Sequence, residues 1–133
     1  MSAGVLDTSA LIALLRGHAG VAEASRRLDR IVMPVIVLGE ILVGRVGAGR
    51  KESGEREIRA FVASPRVEVA PIGFETAVRY AAIRDGLRRA GRPLPANDIW
   101  IAATAMERGL RVLTLDRHYL DIPQVLVEFF EPA

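Results

Sequence analysis

Short apolar runs alternate along the chain with longer segments of helical periodicity. The short runs predict strands at residues 5–6, 31–33, 67–72, 111–115 and 125–130. The intervening segments predict a helix following the Asp-Thr-Ser triplet, and then helices at 21–30, from Pro34 through Glu40, at 55–63, from Phe74 to about Gly91, and from Asp98 through Met106. In the fifth helix, Phe74, Ala77, Val78, Ala81 and Ala82 mark the apolar face. Strands alternating with helices predict an α/β fold whose parallel sheet is covered on both faces.

Length and composition bound the class of protein. With 133 residues and 50% hydrophobic content, the chain has the size of one globular domain, predicted to span residues 1–133. The apolar N-terminal run lacks a basic leader and is interrupted by Asp7, and the run at 35–43 is too short to cross a bilayer and contains Glu40. We therefore expect a soluble, cytoplasmic protein that is not inserted in a membrane.

The chain has no cysteine, which excludes disulfides, thiolate nucleophiles and cysteine zinc sites. Of the 18 basic residues 17 are arginine, although the net charge is only +2. Arginine suits bidentate phosphate contacts, so a nucleic acid is one explanation of this bias, and arginine-rich genomic composition is the other. Arg84, Arg88 and Arg92 are placed to follow an RNA backbone or to form an ordinary solvated face.

Four acidic residues lie in or beside apolar sequence: Asp7, Glu40, Asp98 and Asp116. Burial of an ionised carboxylate is costly unless it is paired, hydrogen-bonded or bound to a metal. Asp7 and Asp116 follow predicted strands, and ligands of open parallel sheets collect at the carboxyl ends of strands. Taken singly, Asp7 and Asp98 also suit helix N-caps, Asp116 a turn, and Glu40 a buried ion pair with an arginine.

If the four carboxylates converge, their mutual repulsion requires a compensating cation. A site built from oxygen ligands favours magnesium or manganese, and such a metal can activate water and neutralise charge on a phosphodiester. A haloacid-dehalogenase-type phosphatase requires a second aspartate two residues after the first, but position 9 is serine. Asn97 is near enough in sequence to hydrogen-bond at the site, but it also suits a capping role and stays outside the predicted catalytic set.

Four motifs occur in order along almost the whole chain. They are LDTS at 6–9, EILVG at 40–44, NDIWIAA at 97–103, and TLD at 114–116 followed by Tyr119. The ordered set resembles the PIN-domain ribonucleases, and within them the VapC-like toxins of toxin–antitoxin pairs. Tyr119 is a mild departure, since the fourth motif often has phenylalanine there.

The resemblance implies a three-layer α/β/α sandwich with a central, mainly parallel five-stranded sheet. It also implies a magnesium-dependent endoribonuclease, a homodimer, and inhibition by a cognate VapB-like antitoxin. Carried over to this chain, Asp7, Glu40, Asp98 and Asp116 become the catalytic acids and metal ligands, with Asp7 and Asp98 in direct contact and Ser9 and Thr114 in support. Hydrolysis of RNA by metal-activated water would leave 5′-phosphate and 3′-hydroxyl ends. The alternative is a non-cleaving PIN-fold protein that binds RNA or a partner.

Overall fold

A computed structural model describes residues 2–132, which share one five-stranded sheet and one hydrophobic core. The predicted domain span of 1–133 therefore includes two terminal residues outside the described part. The strands are β1 (Ala3–Leu6), β2 (Arg30–Pro34), β3 (Val67–Ala70), β4 (Arg111–Thr114) and β5 (Val127–Phe129). The helices are α1 (Thr8–Leu15), α2 (Ala19–Arg26), α3 (Val35–Gly47), α4 (Lys51–Val62), α5 (Phe74–Arg89) and α6 (Ala96–Arg108), with a 3₁₀ helix at Arg117–Asp121.

The strands are ordered β3-β2-β1-β4-β5, and every neighbouring pair is parallel. From β1 the chain moves to β2 and β3 on one side, and then crosses back to β4 and β5 on the other. Because crossover connections are right-handed, α1 to α4 cover one face and α5 and α6 cover the other. This confirms the predicted α/β/α sandwich and places the reversal of strand order between β1 and β4.

The central strands are buried because helices cover them on both sides. Val5 and Leu6 of β1 and Val112 and Leu113 of β4 have no exposed surface. Helix α6 is buried along a run of small side chains, which lets its backbone lie close to its neighbours. The fully buried members of this run are Ala102, Ala103 and Ala105.

The apolar face predicted for α5 was wrong, and α3 also exposes apolar side chains. The buried residues of α5 are Thr76, Ile83 and Leu87, whereas Phe74 is 81% exposed and Val78 is 47% exposed. Helix α3 is not mostly buried, because Val37 and Ile41 alone are buried within it and Val43 is 72% exposed. Both helices therefore carry apolar side chains on the side that faces away from the core.

Helix boundaries also differ from the predicted ones near position 98. Helix α6 begins at Ala96 with Pro95 as its N-cap, so Asn97 and Asp98 lie inside the first turn and are not caps. Proline suits such a start because it lacks the N–H that would go unbonded there. The sequence patterns did not predict the 3₁₀ helix at Arg117–Asp121. Helix α2 ends at Arg26, four residues earlier than expected.

Across residues 2–132, none of the helices combines the length and the apolar character that a membrane crossing demands.

Two glycines predict opposite effects of the same substitution. Gly109 ends α6 with a φ of 66°, a left-handed conformation that disfavours any Cβ, while Gly44 lies within α3 with open space at the Cβ position. We expect Gly109→Ala to lower the free energy of unfolding by about 1 kcal/mol and Gly44→Ala to raise it by about 0.5–1 kcal/mol. Urea unfolding followed by circular dichroism measures both, and equal shifts of one sign would contradict the assignment.

Candidate active site

The site lies where strand order reverses. Leu6 at the end of β1 pairs with Leu113 of β4, and the Asp7 N–H donates to the Leu113 carbonyl at 3.2 Å. Asp116 follows β4 by two residues, so it lies at the same edge of the sheet. A crevice opens there because the chains leaving β1 and β4 diverge toward opposite faces. Two of the four predicted acids are thus placed by the topology itself.

Asp7 is held by three hydrogen bonds. Its Oδ1 accepts from the Ala10 N–H at 2.8 Å and from the Ser9 hydroxyl at 2.7 Å, and its Oδ2 accepts from the Thr114 hydroxyl at 2.5 Å. The Ala10 contact makes Asp7 the N-cap of α1. At the level of sequence, helix capping and a place in the acidic site were alternatives for Asp7. Both are true of this residue, which is only 3% exposed.

Ser9 and Thr114 link α1 to the end of β4. The Ser9 hydroxyl accepts from the Leu115 N–H at 2.9 Å, and the Thr114 hydroxyl accepts from the Asp116 N–H at 2.9 Å. Each hydroxyl therefore donates to Asp7 and accepts from the backbone that follows β4. This leaves both hydroxyls with a donor and an acceptor role, which fixes the rotamer of the buried carboxylate between them.

Glu40 enters the site from α3. Its Oε1 accepts from the Thr8 hydroxyl at 2.5 Å, and its Oε2 accepts from the Asn97 amide at 3.3 Å. Within residues 2–132 it pairs with no arginine, so the ion-pair interpretation was wrong. Glu40 is partly exposed, and it bridges the first turn of α1 to the first turn of α6.

Asp98 lies in the first turn of α6, where the helix dipole favours a negative charge. The buried Tyr119 hydroxyl lies 3.5 Å from Asp98 Oδ1, a long hydrogen bond. Asp116 caps the 3₁₀ helix, and its Oδ1 accepts from the His118 N–H at 2.9 Å and lies 2.8 Å from His118 Nδ1. The buried aromatic ring of Tyr119 thus forms one wall of the acidic site.

The pKa shifts show that the four carboxylates interact. Burial and, to a smaller extent, the negative charges of Asp116, Glu40 and Asp7 together raise the pKa of Asp98 to about 6. Burial also raises the pKa of Asp7, even though its hydrogen bonds from Thr114, Ala10 and Ser9 act in the opposite direction. The same four charges add to burial in raising the pKa of Tyr119, so its hydroxyl stays protonated and serves as a donor. The carboxylates of the site therefore repel one another when they are ionised.

The donor set suits a hard cation that keeps part of its water shell. Each of the four acids offers carboxylate oxygen, the ligand that magnesium and manganese prefer. Among the described residues, however, no three acidic or histidine side chains converge closely enough to enclose an ion by themselves. Magnesium is usually held by one or two carboxylates with several waters, so the arrangement fits such an ion better than a fully protein-ligated one.

Sequence reasoning found the four acids and their two supporting hydroxyls but missed other contacts. Thr8 was quoted only as part of a motif, although it holds Glu40. Asn97 was left outside the catalytic set and contacts Glu40 rather than capping a helix. Sequence patterns assign no role to His118, yet it contacts Asp116. Its spacing of two residues from an aspartate at a helix start was the signal available in the sequence.

Comparison with known proteins agrees with the fold. The PIN domain family matches residues 4–125. The chain is 37% identical over 95 residues to Ribonuclease VapC4 of Mycobacterium tuberculosis, covering 70% of this chain and 72% of that protein. The structure of VapBC-1 from nontypeable Haemophilus influenzae superposes with a TM-score of 0.85 and 26% identity, covering 96% and 97% of the two chains. VapBC-5 of M. tuberculosis, from the VapBC family of toxin–antitoxin systems, gives a TM-score of 0.73 at 30% identity over 99% and 100% of the chains.

The raised pKa of Asp98 predicts a pH-dependent stability in chelator. Between pH about 4 and about 6 the folded protein retains a proton on Asp98 that the unfolded chain has released, so this contribution is lost as the pH rises through about 6. We expect the free energy of unfolding of the native protein, relative to Asp98→Asn, to fall over that interval. Urea unfolding of both proteins at several pH values measures the difference, and a difference independent of pH would refute the assignment.

Proposed function

The chain belongs to the PIN domain family, and from that premise we propose that it is a metal-dependent endoribonuclease, the toxin of a toxin–antitoxin pair that a VapB-like antitoxin neutralises. The observation that carries the proposal is that Asp7, Glu40, Asp98 and Asp116 lie near enough to interact electrostatically, at the reversal of strand order. The relative named Ribonuclease VapC4 and the VapBC-5 toxin–antitoxin structure support the same activity and the same kind of partner.

We assign the catalytic and metal-binding roles to those four acids. Asp7 and Asp98 would contact a magnesium or manganese ion directly, and Glu40 and Asp116 would complete its surroundings. When bound, the ion would lower the pKa of a water and offset charge that develops on the phosphodiester. Ser9 and Thr114 would hold Asp7 with both oxygens oriented, which limits the rearrangement required when the ion arrives.

The remaining contacts position the other acids. Thr8 and Asn97 fix both oxygens of Glu40, so that carboxylate is preorganised without being buried. Asp98 has the fewest contacts of the four and a pKa near 6, so it would lose its proton readily when a cation is present. Asp7 is held rigidly, whereas Asp98 is freer to move. This combination suits binding of the metal ion followed by turnover. The absence of a cysteine is consistent with direct hydrolysis without a thiolate nucleophile.

We further propose that residues 1–133 form a single PIN domain that acts in the cytoplasm, with RNA as its substrate. Two copies would associate through the apolar side chains that α3 and α5 expose: Val35, Val43, Val46, Phe74 and Val78. Exposed apolar patches of this kind mark interfaces, because they would otherwise remain in contact with water. The proposal explains why two helices that sequence patterns assign to the core carry their apolar residues outward.

Asp98→Asn tests the nuclease. It removes one charge and keeps the shape of the side chain, so we expect cleavage of structured cellular RNA in magnesium or manganese to fall at least 100-fold, and chelator to abolish wild-type cleavage. Asp29→Asn is the matched control, because Asp29 precedes β2 at the opposite edge of the sheet and should leave cleavage unchanged. Gel analysis of RNA fragments measures both variants after circular dichroism has confirmed their folds.

Equal cleavage by wild type and Asp98→Asn would exclude this site as the source of the activity. Binding of RNA without cleavage by the wild type in either metal would favour the non-cleaving alternative.

Phe74→Glu and Val43→Glu test the homodimer. Each places a charge on an apolar surface that would be desolvated in the dimer, so we expect the measured mass to fall from about two chains to one. Leu126→Glu is the control, because Leu126 is 69% exposed but lies beside β5, away from α3 and α5. Size-exclusion chromatography with light scattering measures the mass, and a wild type that elutes as a monomer would refute the dimer.

A further inference from the structure

A cavity of about 400 Å³ lies beside the acidic site, between α1, α3 and α4. Three arginines line it, Arg16, Arg45 and Arg50, together with Glu40 and Glu57. Glu40 also belongs to the acidic site, so the two are adjacent. The acidic site is strongly negative, whereas three arginines against two glutamates leave this cavity with one net positive charge. It therefore differs in sign from the site it adjoins.

Arg16 and Arg50 lack an acidic partner among the described residues, as does Arg56, which lies outside the cavity. Within the part of the chain that the structure describes, most arginines form ion pairs with glutamate or aspartate. Arg66 and Arg84, which do not, donate instead to backbone carbonyls and to the Tyr80 hydroxyl. Arg16 and Arg50 have neither kind of partner among the described residues, so their guanidinium groups remain available to an anion.

Arg45 is held in place at the wall of the cavity. Its side chain is only 14% exposed, and one Nη donates to Glu57 at 2.6 Å. Its Nε is buried and has no acceptor among the described residues. A buried donor without an acceptor is costly and is expected to find one in a bound water or ligand. The cavity beside it provides room for such an acceptor.

The packing of α4 is adapted to Arg45. Gly54 lies within α4, and a Cβ at that position would be 2.1 Å from Arg45 Cγ and 2.5 Å from Arg45 Cβ. These distances are far below van der Waals contact, so no other residue fits without moving Arg45. Glycine weakens a helix interior, which makes its presence here informative. Glycine at this position therefore lowers the stability of α4 but leaves room for the Arg45 side chain between α3 and α4.

Resting on the proposed function, we propose that this cavity binds a backbone phosphate of the RNA, next to the phosphodiester that is cut. A strand whose scissile phosphate reaches the acidic site must continue past Glu40, where its next phosphates would be repelled by the acids. Arg16 and Arg50 at the cavity supply the opposite charge, and guanidinium groups match phosphate oxygens in a bidentate geometry. An acidic peptide segment of a partner has similar chemistry, and the test distinguishes it from RNA.

The test measures RNA binding in a background that does not cut. A fluorescein-labelled 12-nucleotide single-stranded RNA of random sequence is titrated with Asp98→Asn protein in magnesium, and fluorescence anisotropy gives the affinity at several salt concentrations. Arg16→Gln and Arg50→Gln are then added to that background. Both arginines are exposed, so their replacement should leave the fold intact. Arg56→Gln is the matched control, because Arg56 is an exposed cation of α4 that has no acidic partner among the described residues and lies outside the cavity.

We expect Arg16→Gln and Arg50→Gln each to weaken binding about tenfold. Each should also reduce the slope of log affinity against log salt by about 0.7, the value for one lost phosphate contact on a single strand. Gly54→Ala should weaken binding as well, because it displaces Arg45 without changing any charge. Arg56→Gln should have less than a twofold effect.

Four outcomes would overturn the inference. Equal losses for Arg56→Gln and the cavity variants would indicate diffuse attraction without a site. A fluorescein-labelled decaglutamate peptide is titrated in the same way. Unchanged RNA binding in the cavity variants, together with weaker binding of this peptide, would assign the cavity to an acidic protein segment. If none of the proteins binds RNA, the proposal for the cavity is rejected. If wild-type cleavage is also absent, the proposed nuclease activity is rejected as well. Wild-type cleavage with unchanged binding by the cavity variants would leave the nuclease standing and reject the cavity alone.

Discussion

Electrostatic repulsion among four carboxylates is the constraint on which the rest of the structure depends. Asp7, Glu40, Asp98 and Asp116 lie near one another, and burial together with the charges of the other three acids raises the pKa of Asp98 to about 6. A fold can keep such a cluster only if other interactions hold the acids in place. The hydroxyls of Thr8, Ser9 and Thr114 and the amide of Asn97 do so, and each donates to a carboxylate oxygen. The site therefore has an electrostatic cost that a bound cation would relieve.

The sheet explains how residues so distant in sequence come together. Reversal of strand order between β1 and β4 brings position 7 beside position 116, and the helices that cover opposite faces supply positions 40 and 98. Side chains alternate across a strand, so a one-residue slip between β1 and β4 would turn Thr114 away from Asp7. The pairing of Leu6 with Leu113 thus fixes the fold and the geometry of the acids at the same time.

Much of this arrangement could be predicted from the sequence, because strands and helices of an α/β sheet have distinct periodicities and acids at strand ends stand out against apolar sequence. The orientation of α5 could not, because apolar spacing identifies a face without saying whether the core or another surface covers it. Phe74 and Val78 follow the helical period as regularly as Ile83 and Leu87 do, yet only the latter pair is buried. Contacts such as Thr8 with Glu40 join residues 32 positions apart and leave no mark in local sequence.

The bonds from Ser9 and Thr114 to Asp7 have a consequence for the newly made chain. A polypeptide is synthesised from its N-terminus, so Asp7 and Glu40 emerge long before Asp98, Thr114 and Asp116. Until β4 has been made and has paired with β1, Asp7 lacks the Thr114 hydroxyl, and two of the four acids are missing or unplaced. The centre is therefore completed only after β4 and Asp116 have been made. For a protein that cuts RNA, this order keeps the centre incomplete while the chain up to β4 is being translated.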